Sequence, residues 1–267
     1  MTKSSEKIGK AAYILLYLFC CSLMSSNKLG GLWGTAGFTP FIYFKLVFAF
    51  CAVFTATVIL RDFPKFLSKA VMYCTAGAGI LFALDYLTLK LSGTMFLYNV
   101  WWIAAIAMSA LGAFAAGCFT IKKKAFAKFY KSFVYGILPL YIITFIICFL
   151  RKPGSNLSTN FVPFHGTFQM LKAFLNNPYG DFEAPLLFFG NVFIFTPLPI
   201  ILKSCFKNIK DKQLLLTGIL TPIFVEGYQY IFRCGDVDID DIITNLLGYL
   251  LGYFVLKLIE RKKLNIK

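Results

Sequence analysis

Apolar residues in this chain come in long blocks, each bounded by a short cluster of lysine or arginine. A helix needs about 20 apolar residues to cross the hydrocarbon core of a bilayer. Eight blocks reach or approach that length, at 9–26, 39–60, 67–89, 96–121, 130–150, 185–204, 213–232 and 240–258. Charged residues make up 15% of the chain, where a soluble domain carries about 25%. The fold class expected is all-α, a polytopic transmembrane helical bundle of eight spans.

The basic residues test this count independently, because lysine and arginine collect in cytoplasmic loops. With the N-terminus inside, inner segments hold 20 lysines and arginines and outer segments hold six. Losing or adding one helix scrambles the alternation, so both termini are expected to be cytoplasmic. The acids go the other way. Asp85, Asp181, Glu183, Glu226, Asp236, Asp238, Asp240 and Asp241 all fall at or toward the outer side. The net charge of +15 is therefore a property of the inner face. It forms no basic stripe with interleaved aromatics, and no nucleic-acid partner is expected.

Lys3, Lys7 and Lys10 precede the first span in the manner of a signal peptide, but no small-x-small cleavage site follows. The reading is a retained helix and a multi-pass protein of the cytoplasmic membrane. The eight cysteines contain no CxxC pair, which points away from zinc ribbons and thioredoxin-like sites. Cys148 and Cys234 both lie near the outer ends of their helices, but a disulfide between them is not expected. Residues 1–125 read as an N-terminal four-helix region of unknown role, and 126–267 as a second four-helix domain. The long outer connection at 151–184 is aromatic, with Phe161, Val162, Phe164 and Phe168. It is expected to lie on the membrane surface or to fold back into the outer leaflet.

Polar groups inside membrane helices are costly, so their placement is the main functional signal. Glu226, Gln229, Tyr230 and Arg233 follow the i, i+3, i+4, i+7 spacing of one helix face. After a tight turn, Asp241, Asn245, Gly248 and Gly252 share a face of the next helix. Antiparallel neighbours bring Glu226, Gln229, Arg233, Asp241 and Asn245 into one cluster in the outer half of the membrane. A structural reading stands beside this one. Asp238 or Asp240 can cap the last helix, and Gly248 and Gly252 can let helices pack closely. A metal at Asp236, Asp238, Asp240 and Asp241 is a further alternative, since these are hard oxygen ligands. The run lacks the glycine and glutamate positions of an EF-hand. His165, the single histidine, is a candidate acid or base. Asn191 either bonds to backbone freed by Pro197 or Pro199, or joins the cluster.

From about Tyr130 to Leu256 the chain resembles the VanZ-like family. The resemblance is carried by Asn160-Phe161-Val162-Pro163-Phe164, by the stretch from Gly190 to Leu198, and by Glu226-Gly227-Tyr228-Gln229 with Arg233. Asp236, Asp238-Ile239-Asp240-Asp241, Asn245 and Gly248 complete it. Pro199 stands where the family has glycine, and residues 1–125 exceed the compact family domain. The resemblance implies a protein set named for low-level resistance to the lipophilic glycopeptide teicoplanin, with no defined reaction and no cofactor. The expected partners are membrane lipids and a lipid-linked cell-wall precursor or a glycopeptide. The ligand-binding set expected is Asn160, His165, Asn191, Glu226, Gln229, Arg233, Asp236, Asp238, Asp240, Asp241 and Asn245. If the protein is an enzyme acting on a lipid head group, Glu226 or Asp241 would move the proton and Arg233 would stabilise developing charge. A transporter is the third reading, with less support because no internal repeat is visible.

Overall fold

The computed structural model describes residues 3–22, 39–92, 97–149, 159–176, 183–206, 208–234 and 237–261. Ten helices and one pair of two-residue strands occur among them. In order they are α1 (Lys3–Ser22), α2 (Thr39–Ile59), α3 (Pro64–Ser92), α4 (Leu97–Thr120), α5 (Lys123–Phe149), β1 (Thr159–Asn160) and α6 (His165–Asn176). The chain continues with α7 (Glu183–Phe195), α8 (Leu198–Cys205), α9 (Asp211–Phe232), β2 (Val237–Asp238) and α10 (Ile239–Ile259). Six segments are long and apolar enough to cross a membrane: Pro64–Leu84, Ile103–Thr120, Lys123–Ile146, Phe188–Cys205, Asp211–Phe232 and Ile239–Ile259. Lys45–Ile59 in α2 is apolar but shorter.

The side chains of α9 say which solvent these helices meet. Ile223, Phe224 and Ile231 are exposed, Phe224 at 70%, whereas Glu226 is 3% and Gln229 7% exposed. Apolar groups outside and polar groups inside is the reverse of a soluble helix, and it suits a helix set in lipid. The protein is an all-helical membrane protein.

Two compact units divide the chain inside α5, one ending at Ile143 and the other running from Thr144 to Arg261. In the first, α2 packs most extensively on α4. Gly112 makes the approach close, since a Cβ there would overlap the backbone carbonyl of Phe50. Hydroxyl pairs tie its helices together, Tyr13 to Thr57 at 3.0 Å and Tyr17 to Thr75 at 2.7 Å. Thr57, Ser68, Ser109 and Thr120 donate to carbonyls one turn back in their own helices. A buried hydroxyl thus finds a partner where no water is at hand.

The second unit is built on Phe149, Phe195, Val225 and Tyr249, with Phe145, Ile194, Leu198 and Leu202 against them. The apolar block at 185–204 is not one straight helix. It turns at Thr196–Pro197, where α7 ends and α8 starts, because proline removes a backbone donor. Ile201 N–H restores contact to the Pro197 carbonyl at 3.0 Å. The helices α7 and α10 meet backbone to backbone: a Cβ on Gly248 would overlap the Val192 carbonyl, and one on Gly252 the Thr196 carbonyl. The small-residue step expected at these two positions is therefore a packing seam.

Candidate functional site

The chain reverses between α9 and α10 through residues 233–238, of which Gly235 and Asp236 lie outside the described residues. Arg233 closes α9 in the left-handed conformation, at φ 50°. The Cys234 N–H then reaches the Gln229 carbonyl at 3.1 Å, a common way to end a helix. Cys234 is a buried free thiol, so it forms no bridge to Cys148. The side chain of Cys148 is outside the described residues.

On the far side of the turn the acidic run separates into two groups with different jobs. Asp238 is the N-cap of α10, accepting the Asp240 N–H at 2.9 Å. It also accepts the Asn160 side-chain amide at 3.1 Å. Asn160 in turn accepts the Val162 N–H at 3.1 Å, and β1 pairs with β2 in parallel, Asn160 opposite Asp238. Asp240 reaches the start of α6. It accepts the Phe164 N–H, the Thr167 N–H at 2.8 Å and the Thr167 hydroxyl at 3.0 Å. These are orphan donors of a helix N-terminus, and no local side chain caps them. Phe164 takes φ 63° to make the turn, a conformation costly for a bulky residue. Gly166 is needed for the close approach. A Cβ there would lie 3.0 Å from Asp238 Oδ2 and 3.3 Å from Asp240 Oδ2.

Asn160, Asp238 and Asp240 therefore hold the 159–176 segment onto the α9–α10 turn. Their oxygens are committed to N–H and O–H donors, which leaves little for a metal. Among the described residues no group of three or more histidine, cysteine, aspartate or glutamate side chains is placed to hold one. Sequence reasoning missed Gly166 and Thr167. The available signal was negative: the segment before α6 has no serine, threonine, aspartate or asparagine at the cap position, so its cap had to come from elsewhere.

The second group lies deeper. Glu226 sits two turns inside α9, with the carboxylate of Asp241 and the backbone N–H and carboxylate of Asp238 nearby. Neither Glu226 oxygen completes a hydrogen bond of ordinary geometry among the described residues. One turn along α10 from Asp241, Asn245 is fully buried, and neither atom of its amide has a partner. Asn191 of α7 donates to Asp241 Oδ1 at 2.7 Å. Of the two fates open to Asn191, joining the cluster is the one observed. Gln229 is buried on the same face of α9. Three helices thus converge on one knot of carboxyl and amide groups.

Arg233, Tyr230 and His165 are placed differently. The i, i+4, i+7 spacing puts Tyr230 and Arg233 on the Glu226 face only while the helix lasts. Both are exposed, Tyr230 at the margin and Arg233 where the left-handed turn takes the chain out of helical register. Arg233 forms no ion pair among the described residues. The expected Arg233 partner for Glu226 is therefore not in place. His165 is exposed at the start of α6, with Nε2 3.1 Å from the Gln169 amide nitrogen, and it is apart from the buried knot.

A cavity of about 350 Å³ lies at the opposite end of α9 and α10, lined by Asp211, Tyr253, Phe254, Lys257, Leu258 and Arg261. Lys257 is already paired there with Asp211 at 2.6 Å and Glu260 at 2.8 Å. One Glu260 oxygen is unmet at this end, but its carboxylate is already paired with Lys257, whereas both Glu226 oxygens and both Asn245 amide atoms are unmet toward the turn end, which is the better candidate.

The residues of the knot and of the helix caps fall within the stretch 133–260 that matches the model of the VanZ/LLP1 family. Protein VanZ of Enterococcus faecium is 33% identical over 126 residues, covering 44% of this chain and 69% of that protein. No solved structure matches the chain.

Proposed function

The chain belongs to the VanZ/LLP1 family, and from that premise we propose that it acts at the outer face of a bacterial cytoplasmic membrane. There it binds or shields a lipid-linked envelope component or a lipophilic glycopeptide of the teicoplanin type. In this reading it has eight spans with both termini cytoplasmic, and residues 126–267 carry the activity. The residues that bind are Glu226, Asp241, Asn245, Asn191 and Gln229. Asn160, Asp238 and Asp240 keep the outer segment seated over them.

One observation supports the reading most. Glu226 of α9 and Asn245 of α10 are both buried, and their side-chain polar atoms have no hydrogen-bond partner among the described residues. An unmet buried polar group costs about 1–3 kcal/mol. A site that keeps two of them is built for something that completes them. The charge alternation along the chain supports an outward position for this end.

The test is a pair of variants, Glu226→Gln and Asp241→Asn, expressed at equal levels in a sensitive host. Teicoplanin susceptibility and extracted lipids are the readouts. Both variants are expected to lose most of any resistance that the parent confers. Full resistance in both would remove the site assignment. A lipid product that depends on Glu226 would instead mark an enzyme.

A further inference from the structure

We infer that the cavity at the Lys257 end of α9 and α10 holds the phosphate head group of a membrane lipid. This is a second site, apart from the knot at the turn end. It needs only that the two helices are embedded in lipid.

Depth is the first argument. The apolar spans of both helices stop here, α9 at Asp211 and α10 at Ile259. The head groups of a bilayer begin where such spans end. The cavity of about 350 Å³ is therefore at head-group level, and its size suits a small ligand. Its wall changes character along α10. Phe254, Leu258 and Arg261 all line it, at the i, i+4, i+7 spacing of one helix face. Phe254 is 60% and Leu258 38% exposed, so the cavity is flanked by apolar surface that lipid chains can cover. Arg261 stands at the polar end of the same line.

Charge is the second argument. Arg261 is exposed and forms no ion pair among the described residues. Its guanidinium presents a fork of donors that matches phosphate oxygens. Lys257 is a second cation in the same wall, bonded to Asp211 and Glu260. Asp211 is exposed and Glu260 is buried. A phosphate can therefore take the place of Asp211 on Lys257 while Glu260 keeps the amine in position. Exposed Lys210 and Lys212 flank Asp211, so cations outnumber carboxylates at this end. The sequence after Arg261 adds Lys262, Lys263 and Lys267 and no acidic side chain. Basic pockets between the ends of membrane helices hold lipid head groups in this way. A soluble anion would make no use of Phe254 and Leu258, and a cation would meet more lysine and arginine than carboxylate.

Three probes separate the phosphate from the chains. Purified full-length protein in uncharged detergent micelles is titrated with dihexanoyl phosphatidic acid. The second probe is dihexanoylglycerol, which lacks the phosphate, and the third is glycerol phosphate, which lacks the chains. The phospholipid is expected to bind about tenfold tighter than either, the worth of one charge-assisted hydrogen bond. Arg261→Gln is expected to bring its advantage over dihexanoylglycerol below about threefold, and Arg261→Glu to abolish it. Lys172→Gln, which removes a cation on α6, is expected to leave the advantage unchanged. Dihexanoylglycerol binding as tightly as the phospholipid would reduce the cavity to an apolar groove and overturn the proposal. Glycerol phosphate binding as tightly would make it a site for soluble phosphate and overturn it equally. So would no binding of any probe, an advantage that survives both Arg261 variants, or one lost to the same extent in Lys172→Gln.

Discussion

Asp240 illustrates how one carboxylate is spent. Its two oxygens take two backbone N–H groups and a hydroxyl from the start of α6, more than 70 residues earlier in the chain. Replacing an acidic cap costs about 1 kcal/mol, and a charge-assisted bond somewhat more. For Asp240→Asn we expect the amides of 165–176 to exchange hydrogen about tenfold faster, with exchange in α9 and α10 unchanged. A uniform rise across the chain would mean that Asp240 supports the whole unit. Tyr249 gives a second residue-scale expectation. It is fully buried, with its hydroxyl 2.6 Å from the Leu214 carbonyl and 2.7 Å from Thr217. Tyr249→Phe removes both bonds but leaves the Thr217 hydroxyl donating to the Leu214 carbonyl at 2.7 Å, so it should lower the stability of the detergent-solubilised protein by only about 0.5–1.5 kcal/mol. An unchanged melting temperature would show that α9 and α10 adjust around the loss. At this scale the sequence exposed the polar residues but not their division of labour. Capping of α10 by Asp238 was readable, because such a cap is local. Capping of α6 by Asp240 was not, since nothing in the chain marks a donor and an acceptor so far apart as neighbours. The place of Arg233 was misjudged for a related reason: a helical wheel is valid only while the helix lasts.

Elements meet along seams that small residues make possible. The seam between α7 and α10 rests on Gly248 and Gly252, each pressed against a backbone carbonyl that cannot move aside without moving its helix. Gly248→Val or Gly252→Val should therefore cost about 1–3 kcal/mol or prevent folding of the second unit, as overpacking does. Gly77→Ala in α3 is the contrasting case. Nothing lies within 4 Å of a Cβ there, so stability should hold or rise by up to about 1 kcal/mol through helix propensity. Thermal unfolding of the three variants side by side is the measurement, and equal losses at all three would refute the seam. The helices of the apolar blocks were legible because lipid demands length and hydrophobicity together. The short elements were harder. Phe168, Leu171 and Leu175 step along one face of α6 and are exposed, a helical period present in the sequence but read there only as a surface segment. The strands β1 and β2 have two residues each, too few for any periodicity to show.

At the scale of the whole molecule, the question is which side of the membrane the knot of carboxyl and amide groups serves. In the proposed orientation α6 and the α9–α10 turn face outward, while the end of α8 at Cys205 faces the cytoplasm. The protein carries its own reporter, since Cys205 is an exposed free thiol at the end of α8, whereas Cys20, Cys21, Cys74 and Cys234 are buried and the exposed Cys51 and half-buried Cys118 lie within the apolar helices α2 and α4. Lys172, exposed on α6, supplies the opposite side. In intact cells a membrane-impermeant maleimide should label Lys172→Cys and leave Cys205 untouched. Permeabilisation should then open Cys205, with a Cys205→Ser variant setting the background. The reverse pattern would turn the molecule over. The acidic cluster would then sit at the cytoplasmic leaflet, where a glycopeptide outside the cell cannot reach it. The glycopeptide form of the proposed function would then fall, and a lipid-linked component of the inner leaflet would be the form left to test. Orientation therefore decides between the two before any ligand is added.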